Sequence, residues 1–141
     1  MIDKEEAIEA LGGDEAIYQE ICNLFLSESV IALQTIKEAL LENDFTKLMK
    51  KAHSLRTSSG TVGAKEVTHL IKQVEASANN NDLQQTTQLI NDLETAINKI
   101  NTYLQKTLVF STLLEYSRLN FSNSSITFFN STSNCLTNIV I

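Results

Sequence analysis

The chain reads as an all-α protein: an antiparallel up-and-down four-helix bundle with a short extra helix at its N-terminus. Three observations predict this. Its 141 residues include no proline and four glycines, so little forces frequent chain reversal. Apolar residues recur at three- and four-residue intervals over long stretches, the period of a helix with one buried face. The breaks between those stretches are short, and short connections make sequence neighbours pack antiparallel.

The first helix is expected over residues 3–11, with Ala7, Ile8 and Leu11 inward and glutamates outward. Gly12-Gly13 ends it, because glycine readily takes the left-handed conformation at a helix C-terminus. Asp14 offers a side-chain oxygen to the free amides of a long second helix, residues 15–42. Its apolar positions are Ile17, Ile21, Leu24, Phe25, Leu33, Ile36, Leu40 and Leu41, with Cys22 as a small core residue. Asn43-Asp44 supplies a stop and a new cap. A third helix over 45–59 carries the stripe Phe45, Leu48, Ala52 and Leu55.

Gly60-Thr61-Val62-Gly63 reads as the next break. The fourth helix, 64–78, buries Val67, Leu70, Ile71 and Val74 and is closed by Asn79-Asn80-Asn81. Asp82 caps the fifth, which uses Leu83, Ile90, Leu93, Ile97, Ile100 and Leu104.

Composition changes abruptly after Thr107. Residues 108–141 hold two charges, Glu115 and Arg118, among Ser, Asn, Thr, Phe and Leu. Leu108 to Leu119 is compatible with an extension of the last helix. Ile126-Thr127-Phe128-Phe129 is strand-prone and uncharged, an aggregation risk if exposed. Asn-x-Ser/Thr triplets at Asn120, Asn123 and Asn130 are expected by chance in such a composition. Residues 1–107 are therefore taken as the functional bundle and 108–141 as a disordered or poorly packed tail.

The formal net charge of −6 lacks the electrostatic footprint needed to bind a phosphate backbone, which argues against nucleic acid. Cys22 and Cys135 follow no metal or redox spacing, and the N-terminus is charged from Asp3 onward, unlike a secretory signal. No run approaches the roughly 18 apolar residues of a membrane span. A cytoplasmic location and no membrane partner are expected.

The stretch from Ala52 to Ala64 carries the chemistry. On the third helix, His53 falls at the edge of the apolar face, with Met49 on the preceding turn and Arg56, Thr57 and Gly60 following. A histidine at such a boundary ordinarily just packs and titrates. Three features argue for more. Ser58-Ser59-Gly60 lowers the surface nearby, so another protein's backbone can come close. Arg56, one turn on, can hydrogen-bond a phosphoryl group carried by the ring, with Lys50 as a further cation. Finally, a reversal around residue 64 brings Glu75 level with His53. Its carboxylate is then placed to accept from Nδ1–H, leaving Nε2 as the neutral nucleophile. Lys72 projects from nearly the same face as Glu75, and a surface Glu–Lys pair is the plain alternative there.

The run His53-Ser54-Leu55-Arg56-Thr57-Ser58-Ser59-Gly60-Thr61-Val62-Gly63 resembles the signature of histidine-containing phosphotransfer (HPt) domains: His-x-Leu-Lys-Gly, then small residues and Gly-x-x-Gly. In helix layout the resemblance covers residues 3–106. It implies that His53 accepts a phosphoryl group from an aspartyl-phosphate on a response-regulator receiver domain and passes it to another. It also implies a hybrid sensor histidine kinase as a partner, and no cofactor on this chain, Mg²⁺ being carried by the partner receiver. By the same carry-over Arg56 is the family's basic residue, Gly60 and Gly63 are its small positions, and Glu75 is a carboxylate near the histidine. Two departures stand out: arginine replaces the commoner lysine at 56, and Thr57 replaces the usual glycine.

No nucleotide loop or kinase signature is present, so a phosphocarrier rather than an enzyme is expected, acting as a monomer. Partner docking is expected at Met49, Thr57, Gly60 and Ile8. The rival reading, supported by Thr57, is a helical adaptor that binds receiver domains or a kinase without relaying phosphate. A metal-binding bundle would need His53 and His69 to converge with carboxylates, without the usual Glu-x-x-His motif.

Overall fold

The computed structural model describes residues 2–119, with side chains through Thr107. Five helices follow in order: α1 (Lys4–Ala10), α2 (Glu15–Leu41), α3 (Phe45–Thr61), α4 (Lys65–Asn79) and α5 (Leu83–Leu119). The chain divides into two compact units, Met1–Asn101 and Thr102–Ile141. In the first, α2, α3, α4 and the opening half of α5 form the antiparallel bundle, with α1 as the extra helix. In the second, the described residues continue α5 to Leu119. The strand-prone run at 126–129, the three Asn-x-Ser/Thr triplets and Cys135 lie outside the described residues. No helix among the described residues is long and apolar enough to cross a membrane.

Asp3, Asp14, Asp44 and Asp82 each accept a backbone N–H from the first turn of the helix that follows. The turns after α2, α3 and α4 repeat one geometry. In each, a residue at positive φ (Asn43, Gly63, Asn81) is followed by an amide that reaches back to a carbonyl in the last helical turn. As a result, residues nine apart meet across the α3–α4 and α4–α5 turns. Ser59 Oγ lies 2.9 Å from Thr68 Oγ1, and Ser77 Oγ lies 2.8 Å from Thr86 Oγ1. Each serine also donates to a carbonyl of its own helix, or shares that role with its threonine, so these buried hydroxyls are satisfied.

Core positions match expectation on α3 at Leu48, Ala52 and Leu55, on α4 at Val67, Ile71 and Val74, and on α5 at Ile90, Leu93, Ile97 and Ile100. Each large aliphatic among them contributes about 1.5–3 kcal/mol of burial. Phe45 and Leu70, also expected inside, are only half-buried. On α2 the expected Cys22, Phe25, Leu33 and Ile36 are buried, and Tyr18, Ser29, Ala32 and Ala39 complete the stripe. Ile17, Leu24 and Leu41 are exposed, and Ile21 and Leu40 only half-buried. Small residues let the neighbouring helices approach, and polar ones bond across: Asn101 Nδ2 donates to Ser29 Oγ at 3.0 Å, and Tyr18 Oη to the Val62 carbonyl at 3.0 Å. Burial pushes the Cys22 thiol up from its ordinary range, as befits a core residue. Leu83 is likewise exposed, at the start of α5.

The expected break at Gly60 is also displaced. Helix α3 runs through Gly60 to Thr61, and the reversal is made by Val62, Gly63 and Ala64. Val62 is fully buried and holds the helix end down, so Gly60 stays helical despite its weak propensity.

Candidate functional site

Helix α3 places His53 on the rim between the α3 core stripe and solvent, with its side chain 64% exposed. The i, i+3 spacing of the helix brings Arg56 beneath it, and the α3–α4 reversal brings Glu75 alongside. Glu75 is 15% exposed, the most enclosed of the three. Arg56 Nη1 donates to Glu75 Oε2 at 2.6 Å, and Arg56 Nη2 lies 2.9 Å from His53 Nδ1. Glu75 Oε1 is 3.4 Å from that same Nδ1, beyond ordinary hydrogen-bond length. The hairpin thus delivers Glu75 to the histidine, but the carboxylate's short bond goes to Arg56. His53 Nε2 makes no hydrogen bond to any described residue.

The remaining expected residues divide into two groups. Thr57, Gly60 and Lys72 line a groove of about 830 Å³ between α1, α3 and α4, which Arg56 borders. Thr57 is exposed, and its hydroxyl donates to the His53 carbonyl at 3.3 Å, turned back on its own helix. A methyl group at Gly60 would meet nothing within 4 Å, so this turn of α3 offers clearance. Lys72 is exposed beside the groove, and Arg56 rather than Lys72 is the cation paired with Glu75. Lys50 is exposed and borders a different recess with Asp44 and Lys47; Met49 and Ile8 are half-buried and do not line the groove. His69 is exposed and pairs with Gln73 on its own helix. Among the described residues, no three His, Cys, Asp or Glu side chains are grouped to hold a metal ion.

One part of the site has no local sequence signal. The groove's far wall is α1, fixed by contacts 59 to 62 residues apart in sequence: Lys65 Nζ bridges Asp3 and Glu6, and Asp3 N–H donates to the Gly63 carbonyl at 2.9 Å. Ile2 and Ala64 form an isolated antiparallel bridge beside it. Lys65 holds the Asp3 carboxyl below its ordinary value, and the two carboxylates raise Lys65 in turn. Only the charge pattern of a Lys at the start of one helix and acids at the start of another hints at it.

Comparison with known proteins bears on the fold and the family. No curated protein matches the chain. The crystal structure of histidine-containing phosphotransfer protein B (HptB) from Pseudomonas aeruginosa PAO1 superposes with a TM-score of 0.70 at 23% sequence identity, covering 76% of this chain and 93% of that one. That likeness establishes a shared fold. The family model of the Hpt domain matches residues 20–103, from within α2 to within α5. The chain therefore belongs to the Hpt domain family, the helical-bundle phosphotransfer modules of two-component signalling.

Proposed function

We propose that this chain is a phosphorelay intermediate: His53 accepts a phosphoryl group from the aspartyl-phosphate of one receiver domain and hands it to another. The observation that carries this is an exposed imidazole whose Nδ1 is engaged by Arg56 and faced by Glu75, while Nε2 makes no hydrogen bond to any described residue and Arg56 itself borders an open groove. In the transfer, the Nε2 lone pair attacks phosphorus in line. The phosphorus–oxygen bond to the aspartate breaks, and its electron pair leaves on that carboxylate. The attack requires the Nδ1–H tautomer; the ring keeps that proton through the transfer, and Glu75 faces the positive charge that develops there. Arg56 and Lys72 are placed to bind the transferred phosphoryl oxygens. Mg²⁺ belongs to the receiver domain in this scheme, and a hybrid sensor kinase is the upstream source. The carrier acts as a cytoplasmic monomer.

Docking uses the groove face, where Gly60 gives clearance and Thr57 folds its hydroxyl onto its own backbone rather than toward the partner. Incubation with a phosphorylated receiver domain and Mg²⁺ should place an acid-labile label on the wild type and none on His53→Gln. Equal labelling of both, or an unlabelled wild type across several active donors, overturns the relay. An unlabelled protein that still binds receivers would be the adaptor.

A further inference from the structure

An arginine has only donors, so its contact with a ring nitrogen reports where the ring's proton is. Arg56 Nη2 sits 2.9 Å from His53 Nδ1, and a proton on Nδ1 would point at another N–H. The resting ring therefore presents its Nδ1 lone pair to Arg56 and carries its proton on Nε2. That is the wrong tautomer for attack by Nε2, while Nδ1 is capped by the guanidinium. Glu75 is what holds the cap in place, through the 2.6 Å bond to Nη1.

Resting on the relay reading above, we infer that Glu75 is a positioning residue acting through Arg56, and that the pair keeps His53 in a non-nucleophilic tautomer until a phosphoryl anion draws Arg56 away. The geometry provides for both states. Arg56 is 31% exposed at the border of the open groove, and the next turn of its helix is Gly60, so its side chain has room to leave. Once it does, Glu75 Oε1, already 3.4 Å from Nδ1, is the acceptor for an Nδ1 proton. The exchange from Nε2–H to Nδ1–H passes through solvent, to which the ring is open. Nε2 is then bare and faces the phosphorus. The approaching phosphoryl group competes for the same guanidinium that caps Nδ1, so the donor that will be attacked also releases the nucleophile. Between encounters, the histidine is unreactive at both nitrogens.

The test reads the tautomer directly, from ¹⁵N chemical shifts and two-bond couplings of the His53 imidazole in the full chain, at a pH where the ring is neutral. Wild type is expected to carry its proton on Nε2. Arg56→Met removes the donor and frees Glu75, and should raise the ratio of Nδ1–H to Nε2–H about tenfold, the weight of one charge-assisted hydrogen bond. Adding Glu75→Gln to Arg56→Met should abolish that gain. A wild-type ring already protonated on Nδ1 overturns the proposal without any variant, as does an unchanged ratio in Arg56→Met. Neither result depends on transfer. Failure of the labelling experiment with an Nε2–H ring in place would sink the relay and leave the arginine cap standing. Labelling of a ring found as Nδ1–H would do the reverse.

Discussion

A methyl group added at Gly63 would meet the Asp3 carbonyl oxygen at 2.5 Å, on a backbone whose φ of +80° already disfavours a side chain. Gly63→Ala should therefore cost about 2 kcal/mol or more, read as a lowered denaturation midpoint, and should loosen α1 because the clash is with Asp3. Gly60 is the opposite case: helical, exposed and open above. Gly60→Ala should stabilise the fold by about 0.5–1 kcal/mol, since alanine suits a helix interior better. If the groove face docks the receiver, the same substitution should slow phosphoryl transfer, measured as the initial rate from a phosphorylated donor.

The hairpin turns explain how a local motif becomes a site. Because the α3–α4 turn is a fixed left-handed reversal, the pairing Ser59–Thr68 sets the register, and Glu75 reaches the level of His53 and Arg56 without a contact of its own to specify it. This much is legible in the sequence, since it needs only a turn position and helical spacing. The α2 face was not legible in the same way. Periodicity weighs side chains by size and so selects Ile17 and Leu24, whereas the seam is chosen by Ser29, Ala32 and Ala39, which let helices close up. The Arg56–Glu75 bond was hidden for another reason. Three groups compete at His53, and only coordinates decide which carboxylate oxygen meets which nitrogen. The clamp on α1 has its own signature. Asp3 is held below 3.8 by Lys65, so its contribution is present above 3.8 and lost as pH falls through the lowered value. Lys65 is held above 10.5, so its part is present below 10.5 and lost as pH rises through the raised value. The Asp3 amide shift should report release of α1 on the acid side, and Lys65→Met should shift that transition toward higher pH. All three groups are exposed, so the effect is on α1 docking rather than on global stability.

The family match and the first compact unit both end close to Asn101, while the chain continues to Ile141. A chain cut after Lys106 is expected to keep its helical circular-dichroism spectrum, cooperative melting and His53 labelling. Loss of all three would make the remaining residues part of the functional domain. The whole chain is acidic, at −6, yet three cations, Arg56, Lys65 and Lys72, border the groove. Lys65 is paired there with Asp3 and Glu6 and Arg56 with Glu75, which leaves Lys72 as a cation available to the proposed phosphorylated partner. The bridge between Ile2 and Ala64 has a consequence for how partners are delivered. Since Asp3 and Gly63 both border the groove, anything joined ahead of Ile2 would emerge on the rim proposed for docking. A bulky tag at that end should obstruct the relay. A receiver domain joined there by a short flexible linker would instead face His53 at about millimolar effective concentration. On the proposed relay, the N-terminal residues would be an attachment point whose occupant either blocks the groove or is served by it.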